Sequence, residues 1–303
     1  MNSSLHQYMR PSIVHMMMFP ECIHGAGPQL ETIEVLAHDA WFEAVEVGPV
    51  NDASVRAQCI NLFSQAQVQP LFVGQACTFF HALDLGSAAE NQRRLAIDAM
   101  KVGIDQATQW GAKHCGVMSG HIMPDTNILQ VKELLAQSLM ELCDYAAPHG
   151  ITLCIENFDS IPFVKNCLIG SAKETVRLAE QVRSKYDNFG IITDLSHLPL
   201  LKENPAETIQ TVKEHLSYVQ LGNCSLNPNS PYYGDIHPYF GAPLTNVSVA
   251  ELAEFLRALL EINYLNTEQR GIVSFEVKPL DGQDPLAQIA GCKRTLEAAW
   301  RMV

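Results

Sequence analysis

Short apolar runs alternate along this chain with longer stretches in which apolar residues recur every third or fourth position. The first kind reads as buried strands and the second as amphipathic helices. The strand-like runs fall at 12–18, 42–47, 69–74, 112–119, 152–158, 190–195, 216–223 and 273–279. Helical spacing lies at 29–40, 54–66, 88–110, 129–147, 172–185, 205–215, 248–262 and 285–301, with Gly111 closing the third of these. No linker, low-complexity tract or change of composition interrupts the alternation. Eight strand–helix units in a chain of 303 residues predict one α/β domain over residues 1–303, a single (β/α)8 TIM barrel. A doubly wound open sheet is the rival, and no Gly-rich phosphate-binding turn follows any strand to favour it.

Four of the runs carry a polar residue near their end: Glu156 in TLCIENF, Asp194 in GIITDL, Gln220 in LSYVQLGN and Glu276 in VSFEVKP. A carboxylate on an apolar strand is costly to bury without a compensating partner. In a barrel these positions are the C-terminal ends of strands five to eight, the face on which barrel active sites are built. Three carboxylates and an amide converging there are hard oxygen ligands for a divalent cation. The expected metal ligands are therefore Glu156, Asp194, Gln220 and Glu276.

Composition narrows the partners. The chain is 47% hydrophobic with a formal charge of −13, from 20 basic and 33 acidic residues. That balance disfavours a general nucleic-acid binder, which must replace phosphate counterions with basic surface. The nine cysteines are scattered without a CxxC pair, as expected of reduced, mostly buried thiols in a cytoplasmic protein. Cys154 and Cys224 lie near the expected site, and core packing accounts for them better than nucleophilic chemistry. The N-terminal stretch has neither the basic head nor the small-residue cleavage site of a signal peptide, and no run is long enough to span a membrane.

The stretches CIENF (154–158), TDLSH (193–197), YVQLGN (218–223), GDIHPYFG (234–241) and SFEVKP (274–279) resemble the xylose isomerase-like barrel superfamily of sugar-phosphate isomerases and epimerases, with class II AP endonucleases as distant relatives. In the keto-sugar epimerases of that superfamily a Glu, an Asp, a His and a second Glu bind one Mn, Mg, Co or Zn ion. Glu156, Asp194 and Glu276 stand at the matching places, and Gln220 stands where the histidine is usual. An amide oxygen lacks the imidazole nitrogen that favours Zn, so the resemblance implies Mn2+ or Mg2+ ahead of Zn2+ or Co2+. The AP endonucleases carry two further histidines near the ends of strands three and four, whose counterparts here are Gln75 and Met118. With the acidic charge, this argues against cleavage of DNA. His197, Asp235 and His237 match the residues that hold a third metal there. They are read here as substrate-binding groups, with a second metal as the alternative.

The resemblance implies proton transfer next to a carbonyl, with Glu156 and Glu276 as the acid–base pair on opposite faces of the substrate carbon and the metal stabilising an enediolate. The expected activity is a metal-dependent isomerase or epimerase of a keto sugar or related polyol. A lyase or dehydratase on an oxidised sugar, including cleavage of a 3-keto glycoside, is the second reading. A non-catalytic sugar- or partner-binding barrel is the third. The expected partner is a small carbohydrate, with a homo-oligomer also open because barrels of the resembling type often form dimers or tetramers. Further candidates for substrate contact are His15, Glu46, His121 and Lys278, each near a strand end, with Asn157 expected to orient Glu156. The Pro-Tyr-Tyr-Gly turn at 231–234 is expected to wall the pocket.

Overall fold

A computed structural model describes residues 1, 3–122, 127–159, 165–280 and 282–303. Eight strands, β1 (Met9–Ile13), β2 (Ala44–Val47), β3 (Gln69–Phe72), β4 (His114–Val117), β5 (Thr152–Glu156), β6 (Phe189–Asp194), β7 (Leu216–Leu221) and β8 (Gly271–Phe275), pair in parallel in the order β1-β8-β7-β6-β5-β4-β3-β2. The two ends meet. Glu43 N–H donates to the Pro11 carbonyl at 3.0 Å, and Val14 bridges Glu46 in parallel. The result is the single (β/α)8 TIM barrel that the alternation predicts.

The helices follow from local signals. Asp52, Asn127, Ser171, Asn204 and Asp284 each cap a helix through a side-chain oxygen, and Ser248 with Glu251 forms a full capping box. Gly111 closes Glu90–Trp110 at φ +74°, a conformation that costs glycine nothing. Leu135, Leu139 and Leu142 of Ile128–Ala146 are fully buried, as are Leu252, Phe255 and Leu256 of Val249–Glu261. These apolar faces cover the outside of the barrel. No helix among the described residues is long and apolar enough to cross a membrane.

The strands differ from expectation mainly at their ends. The apolar run 12–18 is split: β1 stops at Ile13, and His15–Met18 turns into a short helix. Hydrophobicity alone cannot separate strand from helix in so short a run; pairing with β8 decides it, in the register Met9↔Gly271 to Ile13↔Phe275. β8 ends one residue before Glu276, although Glu276 N–H still donates to the Leu221 carbonyl at 3.0 Å. All nine cysteines are free and buried.

His15 and His114 are held neutral inside the fold. Burial brings His15 down to about 3 and, with Arg10 nearby, His114 to about 4, against the ordinary 6.5. The unfolded chain protonates these imidazoles below pH 6.5 while the folded chain does not, so their own contribution to stability falls as pH drops from about 6.5 towards 3. His15→Gln should remove its share, so that the stability lost by the parent relative to this variant, read from urea midpoints, grows by up to ~1.4 kcal/mol per pH unit across that window; parallel curves for the two proteins would contradict the assignment.

Candidate metal and sugar site

The site grows out of the pleat. Inside the barrel, Ala44, Leu71, Cys154, Ile192, Tyr218 and Ile272 form a buried apolar floor. Side chains two residues apart on a strand share a face. Two residues beyond four of these floor positions come Glu46, Glu156, Asp194 and Gln220, and four beyond Ile272 comes Glu276. One layer of apolar side chains thus seals the barrel, and the next layer is polar. All five of these polar residues are buried.

Glu156, Asp194 and Glu276 each present a carboxylate oxygen, and the three lie within 4.8 Å of one another. Asp194 Oδ1 accepts from the backbone N–H groups of Ser196 (3.1 Å) and Gly222 (2.9 Å), and its Oδ2 accepts from the Ser196 hydroxyl. Glu156 Oε2 accepts from Gln75 Nε2 at 2.7 Å, and Oε1 lies 3.2 Å from His197 Nε2. Gln75 can reach Glu156 because β4 carries glycine at 116: a Cβ there would fall 2.1 Å from Gln75 Oε1. Gln220 donates from Nε2 to both oxygens of Glu46 at 3.1 Å. Two oxygens, Gln220 Oε1 and Glu276 Oε2, are buried without a hydrogen-bond partner among the described residues. Burial pushes the Glu276 carboxyl well above the usual range; His237 opposes this, while Glu156 and Asp194 add to it by like-charge repulsion. Buried polar atoms left unpaired call for an explanation, an ion among them. Three clustered carboxylates and a free amide oxygen are a donor set that fits a divalent cation.

A second polar group adjoins the first. His197 Nδ1 lies 3.6 Å from Asp235 Oδ1, and His237 Nε2 lies 2.8 Å from the same oxygen without the alignment of a hydrogen bond. His237 Nδ1 lies 3.1 Å from the Glu276 carbonyl, which ties this group to the first. Burial alone would lower both imidazoles, but Asp235 and the neighbouring carboxylates raise both, His237 to about 9. Lys165, which the sequence reading missed, ion-pairs with Asp235 Oδ2 and sits 4.4 Å from the Phe158 ring centroid. Burial lowers its ammonium, but Asp235, Glu156 and Glu276 together raise it further.

Glu156, Gln220, Asp235, His237 and Glu276 line a cavity of about 240 Å³, while Asp194 and His197 are buried outside its lining. Lys165 and Lys278 are also in its lining. Its apolar wall is made by Phe79, Phe80 and Phe158 with Met16, Met17 and Met118. The 231–234 turn expected there lies elsewhere: Tyr232 packs edge-on against Tyr239, and neither Tyr232 nor Tyr233 lines the cavity. Four other expected substrate contacts are also placed differently, the first being His197, which is buried against Glu156 outside the lining. His15 bonds Thr32 Oγ1 at 2.8 Å behind the wall, because the chain turns helical just before it. Glu46 is outside the cavity lining, where it accepts from Gln220 and, at 2.9 Å, from the Tyr218 hydroxyl. His121 Nδ1 meets the Lys165 carbonyl outside the cavity lining. Asn157 is buried, and its side chain has no hydrogen-bond partner among the described residues, Glu156 included. Cys154 belongs to the apolar floor, where burial pushes its thiol up to about 12.

A family model described as xylose isomerase-like TIM barrel matches residues 31–295. Among solved structures the fold is similar to a D-tagatose 3-epimerase-like protein, with TM-score 0.73, 18% identity, and coverage of 97% of this chain and 99% of that one. It is similar to a 3-keto-D-glucoside 4-epimerase from E. coli, with TM-score 0.71, 15% identity, and coverage of 95% and 98%. It is also similar to an AP endonuclease, family 2, from Brucella melitensis, with TM-score 0.67, 20% identity, and coverage of 93% and 97%. At these identities the likeness is one of fold. No curated protein sequence matches the chain.

The Lys165–Asp235 pair gives a direct test of the second group. Lys165→Met leaves a buried carboxylate short of its cation and should lower the unfolding free energy by roughly 3 kcal/mol. Adding Asp235→Asn should restore most of that loss. A single variant as stable as the parent in urea would show that the pair does not form.

Proposed function

The chain belongs to the xylose isomerase-like TIM barrel family, and from that premise we propose that it is a divalent-metal-dependent isomerase or epimerase of a keto sugar or related polyol. The observation that carries the reading is the buried cluster of Glu156, Asp194 and Glu276, of which Glu156 and Glu276 line the cavity. Sugar epimerases among the proteins of similar fold support the substrate class. We read residues 1–303 as one domain carrying this one site.

Glu156, Asp194, Gln220 and Glu276 would hold the ion, and Mn2+ or Mg2+ suits an all-oxygen set better than Zn2+ or Co2+. A bound divalent ion supplies the positive charge against which negative charge on a substrate carbonyl oxygen can develop. The chain's own residues do the rest. Glu156, at the end of β5, and Glu276, just beyond β8, both line the cavity, and in this reading one removes a proton next to the carbonyl and the other returns it. The two roles exchange with the direction of reaction. Gln75 and His197 hold Glu156 in place through its two oxygens. Lys165, Lys278 and His237 face the cavity as donors for substrate oxygens, with Asp235 orienting Lys165 and His237. Phe79, Phe80 and Phe158 keep water from the reacting carbon.

Incubation with keto sugars in deuterated water should place deuterium on the carbon beside the carbonyl with no loss of mass from the sugar. Release of water or of an aglycone would overturn isomerisation in favour of the lyase reading. Glu156→Gln and Glu276→Gln should each lower turnover by about 10²–10⁴-fold while the unfolding temperature stays near that of the parent. Unchanged biological activity in both variants would instead make the barrel a non-catalytic sugar- or partner-binding protein.

A further inference from the structure

An amide has two ends of nearly equal shape, one a donor and the other an acceptor, and only the oxygen can bind a cation. Whether Gln220 is a ligand therefore depends on which way its amide is turned. Its own strand does not decide this. Glu46, reaching across the barrel from the end of β2, does: both carboxylate oxygens lie 3.1 Å from Gln220 Nε2. The nitrogen donates to both oxygens, so the nitrogen end of the amide faces Glu46. The oxygen is left pointing away, buried and without a hydrogen-bond partner among the described residues, in the lining shared with Glu156 and Glu276.

Glu46 is itself fixed. The Tyr218 hydroxyl donates to its Oε2 at 2.9 Å, and Tyr218 stands two residues before Gln220 on the same face of β7. Glu46 is fully buried and is not part of the cavity wall, so substrate contact does not account for it. Tyr218, Glu46 and Gln220 form a closed chain of donors and acceptors whose one unspent atom is the Gln220 oxygen.

We propose that Glu46 is a positioning residue for the metal: by holding the Gln220 amide nitrogen, it presents the amide oxygen as the fourth hard ligand beside Glu156, Asp194 and Glu276. This rests on the metal reading given above and adds a residue to it that touches neither ion nor substrate. Partners of this kind behind a metal ligand change metal affinity by about 10–100-fold when replaced.

Glu46→Gln keeps the shape but offers a donor as well as an acceptor, so the Gln220 amide is free to turn. Titration of the metal-stripped protein with Mn2+ should show binding weakened by about 10–100-fold in this variant, and by a similar factor in Gln220→Ala. Because Glu46 acts only through Gln220, the double variant should bind Mn2+ no more weakly than Gln220→Ala alone. An unfolding curve for each metal-free variant checks that the fold is kept; Tyr218→Phe, which loosens Glu46 without touching Gln220, serves as a milder second variant and should weaken Mn2+ binding in the same direction. The inference is overturned if Glu46→Gln binds Mn2+ within twofold of the parent, or if the losses in the double variant add. A parent protein that binds no Mn2+ brings down the metal reading and this inference together. A parent that binds Mn2+ through Glu46 and Gln220 but turns over no sugar brings down only the proposed activity.

Discussion

Everything in the upper half of this barrel answers to the burial of several carboxylates within a few ångströms of one another. Glu156, Asp194 and Glu276 share one small volume, and Asp235 and Glu46 lie close by, each of them buried. Water cannot screen such a group, so protein partners or a cation must. The fold meets part of the demand with backbone N–H groups on Asp194, an amide and an imidazole on Glu156, and a lysine on Asp235. Glu276 receives the least, and burial pushes its carboxyl well above the usual range. The charge deficit is greatest where the proposed ion would sit.

The barrel makes this concentration of charge possible without losing its core. The apolar floor of Ala44, Leu71, Cys154, Ile192, Tyr218 and Ile272 separates the polar layer from the lower barrel. The pleat then lifts Glu46, Glu156, Asp194 and Gln220 one repeat above it, and Glu276 two. Glycine at 116 extends the same logic to Gln75, which comes from the short helix after β3 and crosses the space a side chain on β4 would fill. Position in the strand sets who belongs to the site, and hydrogen bonds from neighbouring strands set how each member is turned.

Much of this was legible in the sequence because it obeys simple periods. Eight alternating units gave the barrel, and the polar residues interrupting apolar runs gave Glu156, Asp194, Gln220 and Glu276. What was not legible depends on contacts between distant segments. Lys165 follows no periodic pattern and reaches Asp235 across 70 residues of sequence. Glu46 looked like a substrate contact from its place at the end of β2, but its partners lie on β7, more than 170 residues away. His15 was misplaced by the splitting of one apolar run into a strand and a helical turn. The tyrosines at 232 and 233 carried a turn signal with no direction, and the cavity wall is built instead from Phe79, Phe80 and Phe158.

The central claim is that one divalent cation sits among Glu156, Asp194, Gln220 and Glu276. Crystals grown with Mn2+ and measured at the manganese absorption edge test it most directly. The account predicts one anomalous peak in contact with a carboxylate oxygen of Glu156, Asp194 and Glu276 and with Oε1 of Gln220, whose Nε2 stays on Glu46. Absence of a peak there, or a peak reached by the three carboxylates with the Gln220 amide turned away, would contradict it.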